Sequence, residues 1–102
     1  MDFILPSSTG FTIYTKSNCK YCTLAKELLY EDIRNNNVLI VDCDNYLQPQ
    51  KKEVFIEFIR QCIGRTQQYR TFPMVFLNGN FVGGYTETRN FIEQKDAFSD
   101  LL

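Results

Sequence analysis

The chain has 102 residues, which suits one compact domain and is too short for two. It carries 11 Lys and Arg against 12 Asp and Glu, so no basic patch for nucleic acid is expected. The absence of histidine excludes Ser-His-Asp and Cys-His catalysis and removes the commonest metal ligand. No apolar run approaches the roughly 18 residues of a membrane span, and no secretory signal is evident. We therefore expect a cytoplasmic protein that binds neither membrane nor nucleic acid.

The first half of the chain predicts a β-α-β unit. Residues 1–10 are expected to form a loose lead-in, and residues 11–15 alternate and are rich in β-formers, which predicts a strand. A helix is predicted over residues 20–34, because its leucines share one face. Residues 38–41 are wholly apolar, a pattern typical of a central strand buried on both faces.

The second half predicts a helix, a hairpin and a last helix. Residues 51–63 have the clearest helical stripe in the chain, and Gly64 fits a C-terminal cap. The Asn78-Gly79-Asn80 turn separates two apolar runs, which is the strongest short-range signal for a hairpin. The final helix is expected to begin at about residue 87.

These elements predict an α/β fold with the order β-α-β-α-β-β-α in a single domain over residues 1–102. A βαβ unit pairs its strands in parallel with a right-handed crossover. The hairpin adds an antiparallel pair. The expected architecture is therefore a four-stranded mixed sheet flanked by helices.

A Cys-x-x-Cys pair, Cys19 and Cys22, lies where the first predicted strand passes into the first predicted helix. Next to a βαβ pattern, such a pair predicts a thioredoxin-like redox site. Unpaired N–H groups and the helix dipole would face Cys19, and Lys16 and Lys20 add positive charge. Such surroundings lower a cysteine pKa from about 8.5 to roughly 3.5–7.5, so we predict that Cys19 attacks and the more interior Cys22 resolves.

A four-cysteine zinc site is the alternative interpretation of the pair. Cys43 and Cys62 could supply two further ligands, but they do not form a second paired knuckle. Cys62 lies in an apolar helical stripe, and cysteine is often a small core residue. Cys43 stands between Asp42 and Asp44, which should raise its pKa. Both cysteines are therefore predicted to be structural, and no metal is expected.

Three motifs resemble the glutaredoxin family in order and spacing. They are Lys16-x-x-Cys19-x-Tyr21-Cys22, Thr71-Phe72-Pro73 and Gly83-Gly84-Tyr85-Thr86-Glu87, and the resemblance covers about residues 11–102. Thioredoxins are less similar, because they usually have Trp before the first cysteine and this chain has none. The resemblance implies a thioredoxin-like fold and a glutathione-dependent thiol–disulfide oxidoreductase, with glutathione as the reducing co-substrate.

The resemblance also implies which residues bind glutathione. Pro73 matches the family's cis-proline, which would present the Phe72 backbone to the cysteine of glutathione as a short strand-like pair. Gly84 would allow close approach of the backbone. Thr86 and Glu87 match the γ-glutamyl end, where an N–H would receive the carboxylate and Glu87 would face the ammonium. The full implied set, with its first two members near the cysteine and glycine end, is Lys16, Tyr21, Thr71, Phe72, Pro73, Gly84, Thr86 and Glu87.

Three side chains depart from the family's pattern near this site. Lys20 stands where Pro is often found, so the turn before the helix is less rigid. Phe72 replaces the common Val and adds bulk. Glu87 is one methylene longer than the usual Asp. These changes bear on the affinity for glutathione more than on the redox chemistry.

The second helix and its following link depart as well. The link from Gly64 to the Thr-x-Pro motif is a few residues longer than usual. The position from which the family's second helix normally contacts the glycine carboxylate of glutathione carries Ile56, which cannot make this contact. Lys52, Arg65 and Arg70 all remain candidates to replace it.

Two functions are compatible with the resemblance. The first is an enzyme, expected to be monomeric, that reduces glutathionylated and disulfide-containing client proteins. The alternative is a dimer that holds a [2Fe–2S] cluster through the first cysteine of each subunit and two glutathiones. The retained Cys22 and the absence of a Cys-Gly-Phe-Ser motif favour the enzyme, whereas Lys20 removes a proline that tends to oppose the cluster.

Overall fold

The computed structural model describes residues 3–64 and 69–100, and of residues 96–100 the backbone alone. The strands are β1 (Phe11–Thr15), β2 (Val38–Asp42), β3 (Met74–Leu77) and β4 (Asn80–Gly83). The helices are α1 (Lys20–Leu28), α2 (Tyr30–Arg34), α3 (Lys52–Ile63) and α4 (Tyr85–Asp100), with a short 3₁₀ helix at Asp44–Leu47. The sheet order is β2-β1-β3-β4. Since β1 and β2 are parallel and the other pairs antiparallel, the predicted mixed sheet is confirmed.

The centre of the sheet is occupied by β1 and not by β2. All five residues of β1 are buried, including Thr12 and Thr15. Strand β2 lies at the edge of the described sheet, and its Leu39 and Ile40 are 37% and 41% exposed. The prediction that residues 38–41 form a central strand buried on both faces is therefore wrong. Apolar composition favours a strand, but the position of that strand in the sheet depends on how all the strands pair.

The predicted helix over residues 20–34 is divided in two at Leu29. This residue has φ −99° and ψ 21°, which ends α1, and its carbonyl accepts a hydrogen bond from the Ile33 N–H at 2.9 Å as the chain turns into α2. The Leu29 side chain is wholly buried in a cluster with Phe11 and Val75. Core packing thus outweighs the local preference for one continuous helix.

The lead-in is attached to the core at Phe3 and at the Ile4 carbonyl, although the side chains of Ile4 and Leu5 are exposed, so the expected loose segment is anchored at these two points. The ring of Phe3 lies edge-on to Tyr46 and Phe55, at centroid distances of 4.8 and 5.4 Å. The hydroxyl of Tyr14 donates a hydrogen bond to the carbonyl of Ile4 at 2.6 Å. A single partly buried aromatic residue has no periodicity, so the sequence pattern could not reveal this anchor.

Helix α3 agrees with its prediction except on one face. Gly64 has φ 78° and caps its C-terminus, as expected. Phe55 and Ile59 of the predicted apolar stripe are buried, but Val54, which the stripe also includes, is 45% exposed, and Ile56 lies in the core instead. Helix α4 begins two residues earlier than predicted, at Tyr85. None of the helices in the described part of the chain is long and apolar enough to cross a membrane.

Candidate active site

The two cysteines of the Cys-x-x-Cys pair meet at the N-terminus of α1. Cys19 is the N-cap residue and Cys22 lies in the first turn. A disulfide joins them, with their Cα atoms 5.2 Å apart. The Sγ of Cys19 accepts a hydrogen bond from the backbone N–H of Cys22 at 3.2 Å. Cys22 is 1% exposed and Cys19 is only partly buried, a difference that supports the predicted roles of attacking and resolving thiol.

The segment from Thr71 to Pro73 forms a wall beside the disulfide. The Phe72–Pro73 peptide bond is cis, as the resemblance implies. The carbonyl oxygen of Phe72 lies 3.8 Å from the Sγ of Cys19. The ring of Phe72 stacks on Phe55, with centroids 6.4 Å apart and planes within 10°. The bulk that distinguishes Phe72 from the usual Val is therefore partly absorbed by the core.

A cavity of about 310 Å³ opens next to this wall, and we call it the aromatic cavity. Its outer side includes the rings of Tyr21 and Tyr85, whose centroids are 5.9 Å apart. It brings together every residue that the resemblance assigns to glutathione except Lys16. The lining consists of Tyr21, Tyr69, Thr71, Phe72, Pro73, Gly84, Tyr85, Thr86 and Glu87.

Within the aromatic cavity, Glu87 folds back on the start of α4. Its Oε1 accepts a hydrogen bond from the Gly84 N–H at 2.7 Å. This is the contact that the glutamate of a capping box makes with the N-cap backbone. Gly83 has φ 138°, and a Cβ there would come within 2.6 Å of the Glu87 Cβ. Glycine at this position therefore lets Glu87 lie against the backbone, and Glu87 has a capping role that the motif did not predict.

Sequence reasoning missed Tyr69 as a residue of the site. Its ring lies edge-on to Phe81 at 5.0 Å. Its hydroxyl reaches Gly84 so closely that a Cβ there would stand 3.2 Å from the hydroxyl oxygen and 3.3 Å from the Glu87 Oε1. The feature of the sequence that could have indicated Tyr69 is the unusually long link before Thr71, because a longer loop can bring an aromatic side chain into a neighbouring site.

A second cavity, of about 260 Å³, lies on the other side of Phe72, and we call it the cationic cavity. It places Lys16 with two of the three basic candidates, Lys52 and Arg70, while Arg65 lies outside the described residues. Arg70 forms a two-pronged ion pair with Glu53, at 2.6 and 3.1 Å, and its hydrogen bonds lower the pKa of Glu53. Phe72 borders both cavities.

The other two cysteines have different surroundings. Cys43 is fully buried, and burial, followed by the charge of Asp42, raises its pKa to about 12. Burial also raises the pKa of Cys62. The predicted influence of the two aspartates on Cys43 is confirmed, although burial is the larger cause. In the described ranges, no group of three potential metal ligands lies together.

The sequence of this chain matches a known protein family over most of its length. The sequence model of the glutaredoxin family matches residues 11–82. The chain belongs to the glutaredoxin family. Its Cys19–Cys22 disulfide makes it a dithiol glutaredoxin.

Curated relatives are similar to this glutaredoxin over most of its length. It is 34% identical to human mitochondrial glutaredoxin-2 over 82 residues, which are 80% of this chain and 44% of that protein. It is 32% identical to glutaredoxin 1 of Rickettsia typhi, over 88% of this chain and 76% of the relative. The chain spans about half the length of the mammalian relatives it matches. Their mitochondrial location is a property of those proteins, so the cytoplasmic location of this one stays a prediction.

Solved structures confirm the thioredoxin-like fold. Oxidized glutaredoxin 2 from Chlamydomonas reinhardtii is 28% identical with a TM-score of 0.60, over 80% of this glutaredoxin and 69% of that chain. A buckwheat glutaredoxin–glutathione complex has a TM-score of 0.63 at 22% identity, over 87% and 73% of the two chains. The second likeness concerns the fold alone.

Proposed function

We propose that this glutaredoxin uses glutathione to reduce protein–glutathione mixed disulfides and protein disulfides. The observation that carries the proposal is the position of the Cys19–Cys22 disulfide beside two cavities that share Phe72. One cavity offers positive charge and the other offers backbone groups at a helix start. Glutathione has a carboxylate at each end and a thiol between them, which fits this arrangement.

With a glutathionylated protein, the thiolate of Cys19 attacks the glutathione sulfur. The bond between that sulfur and the client breaks, and the client leaves as a thiolate that takes a proton from solvent. Cys19 now holds glutathione in a mixed disulfide. The thiolate of a second glutathione attacks the bound glutathione sulfur, so glutathione disulfide departs and Cys19 is released as a thiolate. A leaving thiol of low pKa speeds this last step.

With a protein disulfide, Cys22 takes part. Cys19 attacks one client sulfur, and the other client sulfur leaves as a thiolate. The thiol of Cys22 loses its proton and attacks Cys19, which releases the second client thiol and forms the Cys19–Cys22 disulfide. Two glutathiones then reduce this disulfide and leave as glutathione disulfide. A reduction potential in the glutaredoxin range, about −200 to −230 mV, lets the glutathione pool drive the cycle.

The two cavities suggest how glutathione is oriented. We assign the glycine carboxylate to the cationic cavity, with Lys16 and Lys52 as its main partners, because Arg70 is already paired with Glu53. We assign the γ-glutamyl carboxylate to the aromatic cavity. The N–H groups of Thr86 and Glu87 lie in the first turn of α4, where they have no partner within the helix.

The proposal is tested with cysteine variants in a glutathione-dependent assay. Cys19→Ser should abolish all thiol transfer. Cys22→Ser should retain deglutathionylation and lose reduction of protein disulfides, because the glutathione cycle does not need a resolving thiol. Cys62→Ser is the matched control and should retain both activities. If Cys22→Ser is as inactive on a glutathionylated substrate as Cys19→Ser, the assigned roles are wrong.

A [2Fe–2S] dimer would require the sulfur of Cys19, which is bonded to Cys22 in this structure. Lys20, which removes a proline that tends to oppose the cluster, is a feature in its favour, and the retained Cys22 opposes it. We expect protein purified anaerobically with glutathione to be colourless and monomeric. A visible absorption band of a [2Fe–2S] cluster, together with a dimer in size-exclusion chromatography, would contradict this expectation.

A further inference from the structure

Asp44 clamps the loop that precedes Cys19. It is the first residue of the 3₁₀ helix after β2. Its Oδ1 accepts a hydrogen bond from the Ser17 N–H at 2.9 Å, and its Oδ2 accepts one from the Ser17 hydroxyl. The Asp44 N–H in turn donates to the Oδ1 of Asp42 at 3.0 Å. A carboxylate anchored by its own backbone therefore holds both donors of a single serine.

The rest of the loop is short and constrained. Its base is held where the Cys43 N–H donates to the Thr15 carbonyl at 2.8 Å. Asn18, with φ 54°, is the one residue between the clamped Ser17 and the N-cap residue Cys19. Because a single residue separates the clamp from the cysteine, the position of Ser17 restricts where the Cys19 sulfur can lie.

We propose that Asp44 is a positioning residue, which keeps Cys19 at the N-terminus of α1 through its two hydrogen bonds to Ser17. The inference rests on the proposed function for its catalytic meaning. The same loop carries Lys16 into the cationic cavity. The Asp44 side chain thus positions both the attacking sulfur of Cys19 and the basic side chain of Lys16, which the proposed function assigns to glutathione.

The charge of Asp44 by itself would have the opposite effect. A nearby negative charge disfavours a thiolate, so its removal should make Cys19 more reactive. Loss of the hydrogen bonds should make Cys19 less reactive, because its sulfur is then held less well against the N–H groups of the first turn. The hydrogen bonds from Ser17, followed by the charge of Lys16, lower the pKa of Asp44, so the carboxylate is ionised at neutral pH.

Two variants separate these effects. Asp44→Ala removes the charge and both acceptors. Asp44→Asn removes the charge alone, because its amide oxygen can accept from the Ser17 N–H while its amide nitrogen donates to the Ser17 hydroxyl. Glu31→Ala is the matched control, since it deletes an exposed carboxylate whose partner is Arg34 on α2.

The measurement is the rate of Cys19 alkylation by iodoacetamide in the fully reduced protein, followed against pH and assigned by peptide mass mapping. We expect Asp44→Ala to react at least about fivefold more slowly at neutral pH, with its midpoint moved to higher pH. Asp44→Asn should react at least as fast as wild type, because it loses the charge and keeps the hydrogen bonds, and Glu31→Ala should stay within about twofold of wild type. Unchanged or faster alkylation of Asp44→Ala, or equal slowing of Asp44→Asn, would overturn the proposal.

Ser17→Ala covers the case in which Asp44→Ala does not fold. It removes only the hydroxyl donor, so we expect intermediate slowing of alkylation, and a wild-type rate would overturn the proposal. Iodoacetamide alkylation does not involve glutathione. If the glutathione assays fail while this pattern of alkylation holds, the proposed function is wrong and the positioning role of Asp44 stands.

Discussion

The two cavities beside Cys19 are lined by different kinds of chemical group. The cationic cavity presents charges on long side chains that come from separate segments, Lys16, Lys52 and Arg70. The aromatic cavity presents backbone groups at the start of α4, with Glu87 and Tyr69 held against Gly84. Long charged side chains can replace one another, whereas groups fixed around a backbone cannot. We therefore expect substitutions in the aromatic cavity to affect glutathione use more strongly.

The largest expected effect is that of Glu87→Lys. It places a positive charge where the γ-glutamyl ammonium is expected, and like charges at an interface can cost several kcal/mol. The apparent KM for glutathione should rise at least about tenfold, which corresponds to roughly 1.4 kcal/mol. Steady-state kinetics with varied glutathione measure this. Reaction of Cys19 with a small neutral disulfide should change little.

Glu87→Gln is the control for the capping role of this side chain. Glutamine can also accept the hydrogen bond from the Gly84 N–H, so α4 should keep its start and its thermal stability. The KM for glutathione should rise less than in Glu87→Lys. If both variants leave glutathione kinetics unchanged, Glu87 only caps the helix, and the assignment of the γ-glutamyl end to this cavity fails.

A smaller effect is expected for Tyr69→Phe. This change keeps the ring on Phe81 and removes only the hydroxyl near Gly84. If that hydroxyl donates to the γ-glutamyl carboxylate, its loss should raise the KM for glutathione about fivefold, with kcat little changed. Tyr21→Phe, on the outer side of the same cavity, is the comparison. If Tyr69→Phe and wild type have equal kinetics, the Tyr69 hydroxyl does not bind glutathione.

The smallest effect is expected in the cationic cavity. Lys16→Ala and Lys52→Ala should each raise the KM for glutathione about twofold, because exposed ion pairs are commonly worth about 0–1 kcal/mol. The double variant should exceed the product of the two single effects, since each lysine can cover for the other. If one of the two lysines accounted for the whole rise in KM, the lysines would not be interchangeable, and the proposed difference between the two cavities would be wrong.

The sequence predicted most of the candidate site because its motifs are local. Cys19 and Cys22 belong to one helical turn, and the residues from Gly83 to Glu87 belong to one strand-to-helix turn. The capping role of Glu87 was not predicted, although the spacing of a capping box is local, because the family motif assigns this residue to glutathione. Tyr69 was missed for a different reason. Its hydroxyl meets Gly84 only after the chain has folded back, and no periodic pattern records such a contact.

The sequence by itself determined the features that depend on neighbouring residues. These are the position of Cys19 at the start of α1, the Asn78-Gly79 hairpin and the cap at Gly64, all set by local dihedral preferences and hydrogen bonds. Only the tertiary structure decided that β1 is central and β2 lies at the edge, and that Asp44 reaches Ser17. Those outcomes depend on which distant segments share a core and a sheet, and burial of the whole chain selects that arrangement.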